Sequence, residues 1–178
     1  LHLEIIDKHG ELHKVDLEKD NGASLGLTFT EALFDGIHQC NNHCPFCFID
    51  QQPEGRRQTL YIKDDDYRMS FLYGSYLTLT NLRKNDWLRI EEQRLSPLYV
   101  SVHATDPDLR AKLLRNKRAG LLMEQIDWFS RRNLQFHAQI VVCPGLNDGK
   151  ALRETLNDLF SYGKGEWPAV LSVAVVPV

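Results

Sequence analysis

Three observations predict an α/β fold in which a parallel sheet is covered by helices. From Ala32 onward, apolar strand-like runs alternate with segments of helical spacing. The last run, Ala169 to Val176, is apolar at nearly every position, as in a strand buried on both faces. Polar residues followed by proline or by helical spacing, such as Asp106-Pro107, mark where helices begin. The 178 residues carry 21 Lys+Arg and 24 Asp+Glu, so the net charge is 21 − 24 = −3 with His neutral. The chain is 43% hydrophobic, 10% aromatic and 25% charged, ordinary globular usage that excludes disordered and collagenous classes. A domain of this size buries roughly 70% of its unfolded surface, so it needs no disulfide or metal merely to fold. No basic excess exists to neutralise phosphates, which argues against a nucleic-acid partner and leaves open only a local patch for RNA. No apolar run approaches the ~20 residues of a membrane span. The start, Leu1 to Asp7, alternates and carries charge rather than reading as a signal peptide, so a cytoplasmic location is expected.

In chain order, Leu1, Leu3 and Ile5, a turn at Asp7-Lys8-His9-Gly10, then Leu12 and Val15 give a β-hairpin signature. Residues 1–30 read as a small β appendage and 31–178 as the α/β core. The apolar runs of the core are Leu33 to Ile37, Phe71 to Thr80, Leu98 to Ala104, Leu134 to Cys143 and Ala169 to Val176. Helices are predicted over Arg83 to Arg94, from Asp106-Pro107, over Leu121 to Arg132, and from Asn147-Asp148 to about Tyr162. Periodicity does not say whether the sheet is open or curled into part of a barrel. Asp50 to Ser70 reads as a long irregular loop with a short helical turn, of the kind that is often functional. Within it, Lys63, Asp64 to Asp66 and Arg68 read as a solvated charge run, with a substrate-facing role as the alternative. The chain starts without Met and stops at the end of an apolar run, which suggests a piece of a longer protein with the core truncated at its C-terminal side.

Three of the four cysteines fall within Cys40-Asn41-Asn42-His43-Cys44-Pro45-Phe46-Cys47, directly after the first apolar run of the core, where α/β folds place active-site loops. Without secretory features, such spacing reads as metal ligation rather than disulfides. Pro45 and the two asparagines favour a tightly wrapped loop. Thiolates suit zinc or an iron–sulfur cluster. A closed zinc site needs a fourth ligand, which His38 or His43 can supply, whereas a four-iron cubane on three cysteines leaves one iron open. Both readings stand on composition, the zinc reading implying a non-enzymatic interaction module.

Cys-x3-Cys-x2-Cys with Phe46 before the last cysteine resembles the signature of the radical S-adenosylmethionine (SAM) superfamily. Further blocks, Asp35-Gly36-Ile37-His38-Gln39, Phe48-Ile49-Asp50-Gln51-Gln52-Pro53, Lys63 to Arg68, Ser101-Val102-His103-Ala104-Thr105-Asp106-Pro107 and Cys143 to Gly149, resemble its DUF512-type iron–sulfur oxidoreductases. In that branch a PDZ-like domain precedes the radical SAM core and a DUF512 domain follows it.

The resemblance implies a partial (β/α) barrel of parallel strands. It implies an enzyme with a [4Fe–4S] cluster and SAM as cofactors, Cys40, Cys44 and Cys47 each ligating one iron. An electron donor such as a flavodoxin or ferredoxin is implied, with a substrate that is a small molecule, peptide or protein. Phe46 would sit near the adenine. The superfamily's Gly-Gly-Glu-like turn aligns with Thr78-Leu79-Thr80-Asn81, where Thr80 and Asn81 would offer oxygens to the methionyl amine but no carboxylate, or else cap the next helix. Ser101 and His103, on alternate positions of one strand, would face the SAM carboxylate or ribose. The same reasoning covers His137 and Gln139 on the next strand, with Gln139 the ribose contact; core packing is the alternative for each histidine. Cys143 reads as a buried small hydrophobe.

Overall fold

The computed structural model describes residues 1–7, 9–28, 33 and 36–178. The chain divides into two compact units, residues 1–37 and 38–178. In the first, β1 (His2–Ile6) and β2 (Leu12–Asp16) pair antiparallel, with Leu3 opposite Val15 and Ile5 opposite His13. Gly10 takes φ +84°, which glycine adopts without the Cβ clash that other residues suffer. The Asp7 carboxylate closes the turn by accepting from the backbone N–H of His9 and Glu11 at 2.8 and 3.0 Å. The expected first core strand, Leu33 to Ile37, includes Phe34 and Asp35, which lie outside the described residues, as does Ala32.

The second unit holds α1 (Tyr67–Tyr73), α2 (Lys84–Glu92), β3 (Leu98–Ser101), α3 (Pro107–Leu114), α4 (Leu122–Arg131), β4 (Phe136–Val142), α5 (Gly149–Tyr162) and β5 (Val170–Pro177). Strands β3, β4 and β5 form a parallel sheet in that order, and Leu77 adds one parallel bridge to Val100 at the outer side of β3. No closed barrel exists among the described residues; the mixed α/β architecture with its three-stranded parallel sheet is consistent with the partial one expected. The helices expected from periodicity occur at α2, α3, α4 and α5. At α3, the Asp106 carboxylate accepts from the Leu109 N–H at 2.7 Å, and Pro107 opens the first turn.

Three strand expectations need correction. The run Phe71 to Thr80 is helical up to Tyr73, because the Asp66 side chain caps α1 on the Arg68 N–H and Gly74, at φ +75°, ends it. Only then does the chain extend. The run Leu98 to Ala104 stops pairing at Ser101, because His103 adopts φ +64° and turns the backbone out of the ladder. β5 is not buried on both faces: Val170 is buried, but Leu171, Val175 and Val176 are exposed, because among the described residues β5 is an edge strand paired only with β4.

β4 alternates buried and half-buried residues. Phe136, Ala138 and Ile140 share a core with Ile90, Leu122, Ile126, Phe129 and Leu159 from the helices, all fully buried. Apart from Ala138, each such side chain contributes roughly 1.5–3 kcal/mol of transfer free energy. Tyr99 and Ser101 of β3 pair in register with His137 and Gln139 of β4 on the opposite, partly open face.

Arg110 of α3 is buried completely, yet each of its bonds goes to a backbone carbonyl. Nε donates to Val102 O at 2.8 Å, Nη1 to Ala119 O at 2.7 Å, and Nη2 to Thr78 O and Ser101 O at 2.9 and 2.7 Å. Burial lowers its pKa to about 10, which leaves it charged at neutral pH. Replacing it removes a donor from four buried carbonyls, of which Val102 O keeps the Ala104 N–H at 2.8 Å, and each belongs to a segment that shapes the loop side of the sheet. Arg110→Ala is expected to lower unfolding free energy by about 3–5 kcal/mol in urea titration; a loss under about 1 kcal/mol contradicts this role.

Candidate active site

The cysteine loop is fixed at several points before any ligand is considered. Gln39 bridges Asp64 antiparallel, and the Cys40 N–H donates to Lys63 O at 2.7 Å. The His43 N–H donates to Leu114 O, at the end of α3, at 3.0 Å. The Cys47 N–H closes a turn on Cys44 O at 3.1 Å, and Gln51 Nε2 donates to Pro45 O. At the centre lies Asn42, completely buried. Its Nδ2 contacts Cys40 Sγ at 3.3 Å, Thr78 Oγ1 at 2.9 Å and Thr80 Oγ1 at 3.1 Å. Its Oδ1 accepts from Asn116 Nδ2 at 2.8 Å, and its backbone oxygen accepts from Lys63 Nζ at 2.7 Å. One amide thus ties the first cysteine to the Thr78–Thr80 segment, to Lys63 and to the chain after α3.

All four cysteines are free thiols. Cys40, Cys44 and Cys47 line one cavity of about 360 Å3 together with Phe46, Lys63, Asp64, Ser101, His103 and Gln139. Burial pushes the Cys44 thiol up to about 12, with Cys40 and Cys47 adding to the rise. Cys40 is raised by burial and by the Asp65 carboxylate. Two thiols of the pocket, Cys40 and Cys44, are thus held towards the protonated form unless a cation compensates. Lys63 is the nearest fixed cation: burial works against its charge, but Asp50 at 2.6 Å and the neighbouring thiols raise its pKa overall.

The donor spacing discriminates between the metal readings. Among the described residues, Asp7, Glu11 and His13 are the one group of three or more His, Cys, Asp or Glu whose ligand atoms all lie within 4.8 Å of one another. A tetrahedral zinc with bonds of ~2.3 Å holds its sulfurs about 3.8 Å apart. The three thiols, with or without His38 or His43, do not stand at that spacing. His43 is exposed, and the His38 ring packs edge-on against Tyr67 at 6.0 Å. A cubane binds its cysteines through different corner irons and does not require that spacing.

Four of the six proposed cofactor contacts meet at the cavity: Phe46, Ser101, His103 and Gln139. Phe46 packs edge-to-face on His103, with ring centroids 4.8 Å apart. His103 is buried in the left-handed region of backbone space, a costly conformation for a residue with a Cβ. Its Nδ1 accepts from the Val141 N–H at 3.1 Å, so in the neutral ring the proton sits on Nε2. Burial, helped by the charge of Arg110, lowers its pKa to about 3. Asn147 supports this geometry: its Nδ2 donates to His103 O at 2.8 Å and Val141 O at 2.9 Å.

Thr80 and Asn81 lie away from the lining. Thr80 is fully buried with its hydroxyl committed to Asn42 and Thr78, and Asn81 Nδ2 donates to Gln39 O at 3.1 Å. Neither caps α2, whose N-cap is Arg83. Leu79, at φ +63°, keeps the left-handed turn that a glycine adopts freely, and Thr78 faces the cavity instead. His137 also lies outside the lining, stacked on Tyr99 at 4.8 Å and bonded to Ser172 Oγ at 2.7 Å. Cys143 is buried, its thiol raised by burial.

The charge run is not a solvated face. Asp65 and Asp66 are buried, because Asp65 accepts from the Thr78 N–H and hydroxyl while Asp66 is paired with Arg68 at 2.7 Å. Burial alone would raise Asp66, but Arg68 and two backbone amides outweigh it and hold its pKa at about 2. Asn42 and Asn147 are the residues that sequence reasoning missed as site architects. Their only signal is a polar amide in a tight loop, which many surface turns share.

Asn42→Ala leaves Thr78, Thr80 and Asn116 without their shared partner and is expected to cost about 2–4 kcal/mol, read from the urea midpoint at constant m-value. For His103, the depressed pKa means the unfolded chain takes up a proton that the folded one refuses. Stability contributed at neutral pH is therefore lost as pH falls below about 6.5, at up to about 1.4 kcal/mol per unit towards the folded value. The ring's nitrogen NMR shifts are expected to stay those of the neutral Nε2–H tautomer at pH 5, and an imidazolium signature there contradicts the assignment.

A family model described as a radical SAM-like domain matches residues 19–173. None of the curated proteins compared with the chain matches it. The match spans the cysteine loop, all three strands of the parallel sheet up to Val173 and the cavity they border. The chain belongs to the radical SAM-like domain family.

Proposed function

We propose that the protein is a radical SAM iron–sulfur enzyme in which Cys40, Cys44 and Cys47 each hold one iron of a [4Fe–4S] cluster and SAM binds at the fourth. The observation that carries this reading is three free thiols around one cavity, beside Ser101, His103 and Gln139. When bound and reduced, the pair of cofactors supplies reductive cleavage of SAM to methionine and a 5′-deoxyadenosyl radical that abstracts hydrogen from a substrate. The chain's own residues bind, orient and exclude water. The thiols shed protons on metallation, and Lys63, anchored by Asp50 and the Asn42 carbonyl, offsets the resulting negative charge. Neutral His103 offers an N–H from Nε2, while the Ser101 hydroxyl and Gln139 amide offer hydrogen bonds to a ribose or carboxylate.

The blocks Lys63 to Arg68, Ser101 to Pro107 and Cys143 to Gly149 support the DUF512-type branch, with residues 1–30 as the end of a PDZ-like domain and 31–178 as the radical SAM core. Among the described residues, no helix is long and apolar enough to cross a membrane. A cytoplasmic oxidoreductase fed by a flavodoxin- or ferredoxin-type donor, acting on a small molecule, peptide or protein, is consistent with that and with the free thiols.

Anaerobic reconstitution with iron and sulfide is expected to give about four of each per chain, with broad absorbance near ~400 nm that dithionite bleaches. Cys44→Ala is expected to abolish it. Incubation of the reduced protein with SAM then yields 5′-deoxyadenosine. Colourless protein holding one zinc contradicts the proposal.

A further inference from the structure

The outer side of the cysteine loop carries a charge that the proposed function leaves unused. Between Asp108 and Glu124 the sequence holds no Asp or Glu, yet it places Lys112, Arg115, Lys117 and Arg118 there besides the buried Arg110. The fold lays this segment along the loop. Leu114 O accepts the His43 N–H at 3.0 Å, and Asn116 Nδ2 donates to Asn41 Oδ1 and Asn42 Oδ1 at 3.1 and 2.8 Å. Arg118 Nη2 donates to Leu82 O at 2.8 Å, which brings Arg83 and Lys84 next to the segment. All six of these cations are exposed, and none forms an ion pair among the described residues. Two of them stand where the fold gains little from a cation. Arg115 holds the left-handed position that ends α3, at φ +51°, which glycine takes without strain. Lys84 opens α2, at the helix end whose dipole disfavours positive charge, with Asp86 the acid of that turn.

We infer that this surface docks an acidic one-electron carrier protein, an inference that rests on the proposed function. Reductive cleavage of SAM consumes one electron, and the remaining cysteine, Cys143, is a lone buried thiol that cannot hold a second cluster to store it. The electron therefore comes from a partner that approaches the cysteine ligands closely. The basic surface offers that approach. Cys44 packs directly on Ala104, Leu113, Leu114 and Ala119, the apolar layer beneath the segment. Asn116 reaches Cys40 Sγ through one residue, Asn42, by contacts of 2.8 and 3.3 Å. In the transfer the carrier loses one electron and is oxidised, the cluster gains it, and no proton or bond moves. Complementary charge gives such an encounter speed and orientation more than tight binding, which suits a partner that leaves after each electron. An RNA strand is the competing polyanion, but none of the six cations lines the cavity, so they hold nothing at the site of chemistry.

The full chain and its triple variant Lys84→Glu/Lys112→Glu/Lys117→Glu are reconstituted anaerobically. The three ammonium groups bond nothing among the described residues, so iron content and thermal midpoint are expected to match wild type. Binding of oxidised flavodoxin is measured by titration calorimetry, and cluster reduction by reduced flavodoxin or by an acidic ferredoxin is followed as stopped-flow bleaching near ~400 nm. At low salt the second-order rate constant is expected to fall about 10- to 1000-fold in the variant, and flavodoxin binding to weaken with it. The difference is expected to close as salt rises, because the screening length shortens from ~10 Å at 0.1 M to ~3 Å at 1 M. Lys→Arg at the same three positions is expected to keep wild-type rates. Excess dithionite, which needs no docking, is expected to give the wild-type yield of 5′-deoxyadenosine in every protein. Equal rates at low salt overturn the inference, as does a wild-type cluster that neither carrier reduces. Unchanged reduction together with lost binding of a single-stranded RNA oligonucleotide also overturns it and assigns the surface to nucleic acid. Loss of the cluster in the variant overturns it too, because the lysines then support the cluster rather than a partner. A wild-type chain that assembles no cluster, or yields no 5′-deoxyadenosine with dithionite, overturns instead the function on which the inference rests.

Discussion

The buried guanidinium of Arg110 is the constraint on which the rest of this unit depends. A parallel sheet of three strands leaves its loop-side carbonyls without ladder partners, and burying them unpaired costs more than most single contacts return. Arg110 answers with one rigid fork that reaches Thr78, Ser101, Val102 and Ala119, joining the turn before α2, the end of β3 and the short turn before α4. A lysine cannot do this, because a single ammonium lacks the planar spread of donors. The carboxylate of Asp65, which attracts Arg110 electrostatically, is held by Thr78 on the same segment, so the charge is balanced within the fold. The protein thereby shapes its loops with a structural cation before any cofactor is considered.

From that frame the cavity acquires a consistent electrostatic character. The thiols of Cys40 and Cys44 are driven towards the protonated form, its histidine towards the neutral form, and its lysine is kept charged by Asp50. A pocket of this kind favours a ligand that brings positive charge to the sulfurs, as metal ions do. Neutral His103 adds a donor without adding charge. The backbone at His103 and Leu79 lies in the left-handed region, and both residues are packed rather than exposed, Asn147 bracing the first and Gln125 Nε2 donating to the carbonyl of the second. Strain held this way concentrates where side-chain direction matters more than stability.

The hairpin obeys a different logic. Its strands are exposed over nearly their whole length and are held by the Asp7 turn and by cross-strand pairs such as Lys14 with Glu4 at 2.9 Å. Pairs of this exposure contribute little each, and an isolated two-stranded ribbon is marginal in water. Stability in the 38–178 unit comes instead from the helices laid on Phe136, Ala138 and Ile140.

Local pattern by itself determined the hairpin, the four helices α2 to α5, the strands β4 and β5, and the tight wrapping of the cysteine loop. These follow from alternation, 3.6-residue spacing, caps such as Asp106-Pro107 and ligand spacing, all of which act between near neighbours. It failed where one residue's backbone conformation overrode apolar content: Gly74 divides a run into helix and extended chain, and His103 ends β3 early. It failed again where burial depends on partners distant in sequence. Asp65 and Asp66 read as solvent-facing until Thr78, Arg68 and Arg110 surround them, and β5 read as central until the strand order put it at the edge. Only the tertiary structure decided that Thr80 faces Asn42 while Asp64 faces the cavity, because which side of a loop a side chain takes is set by hydrogen bonds spanning 36 to 38 residues of chain.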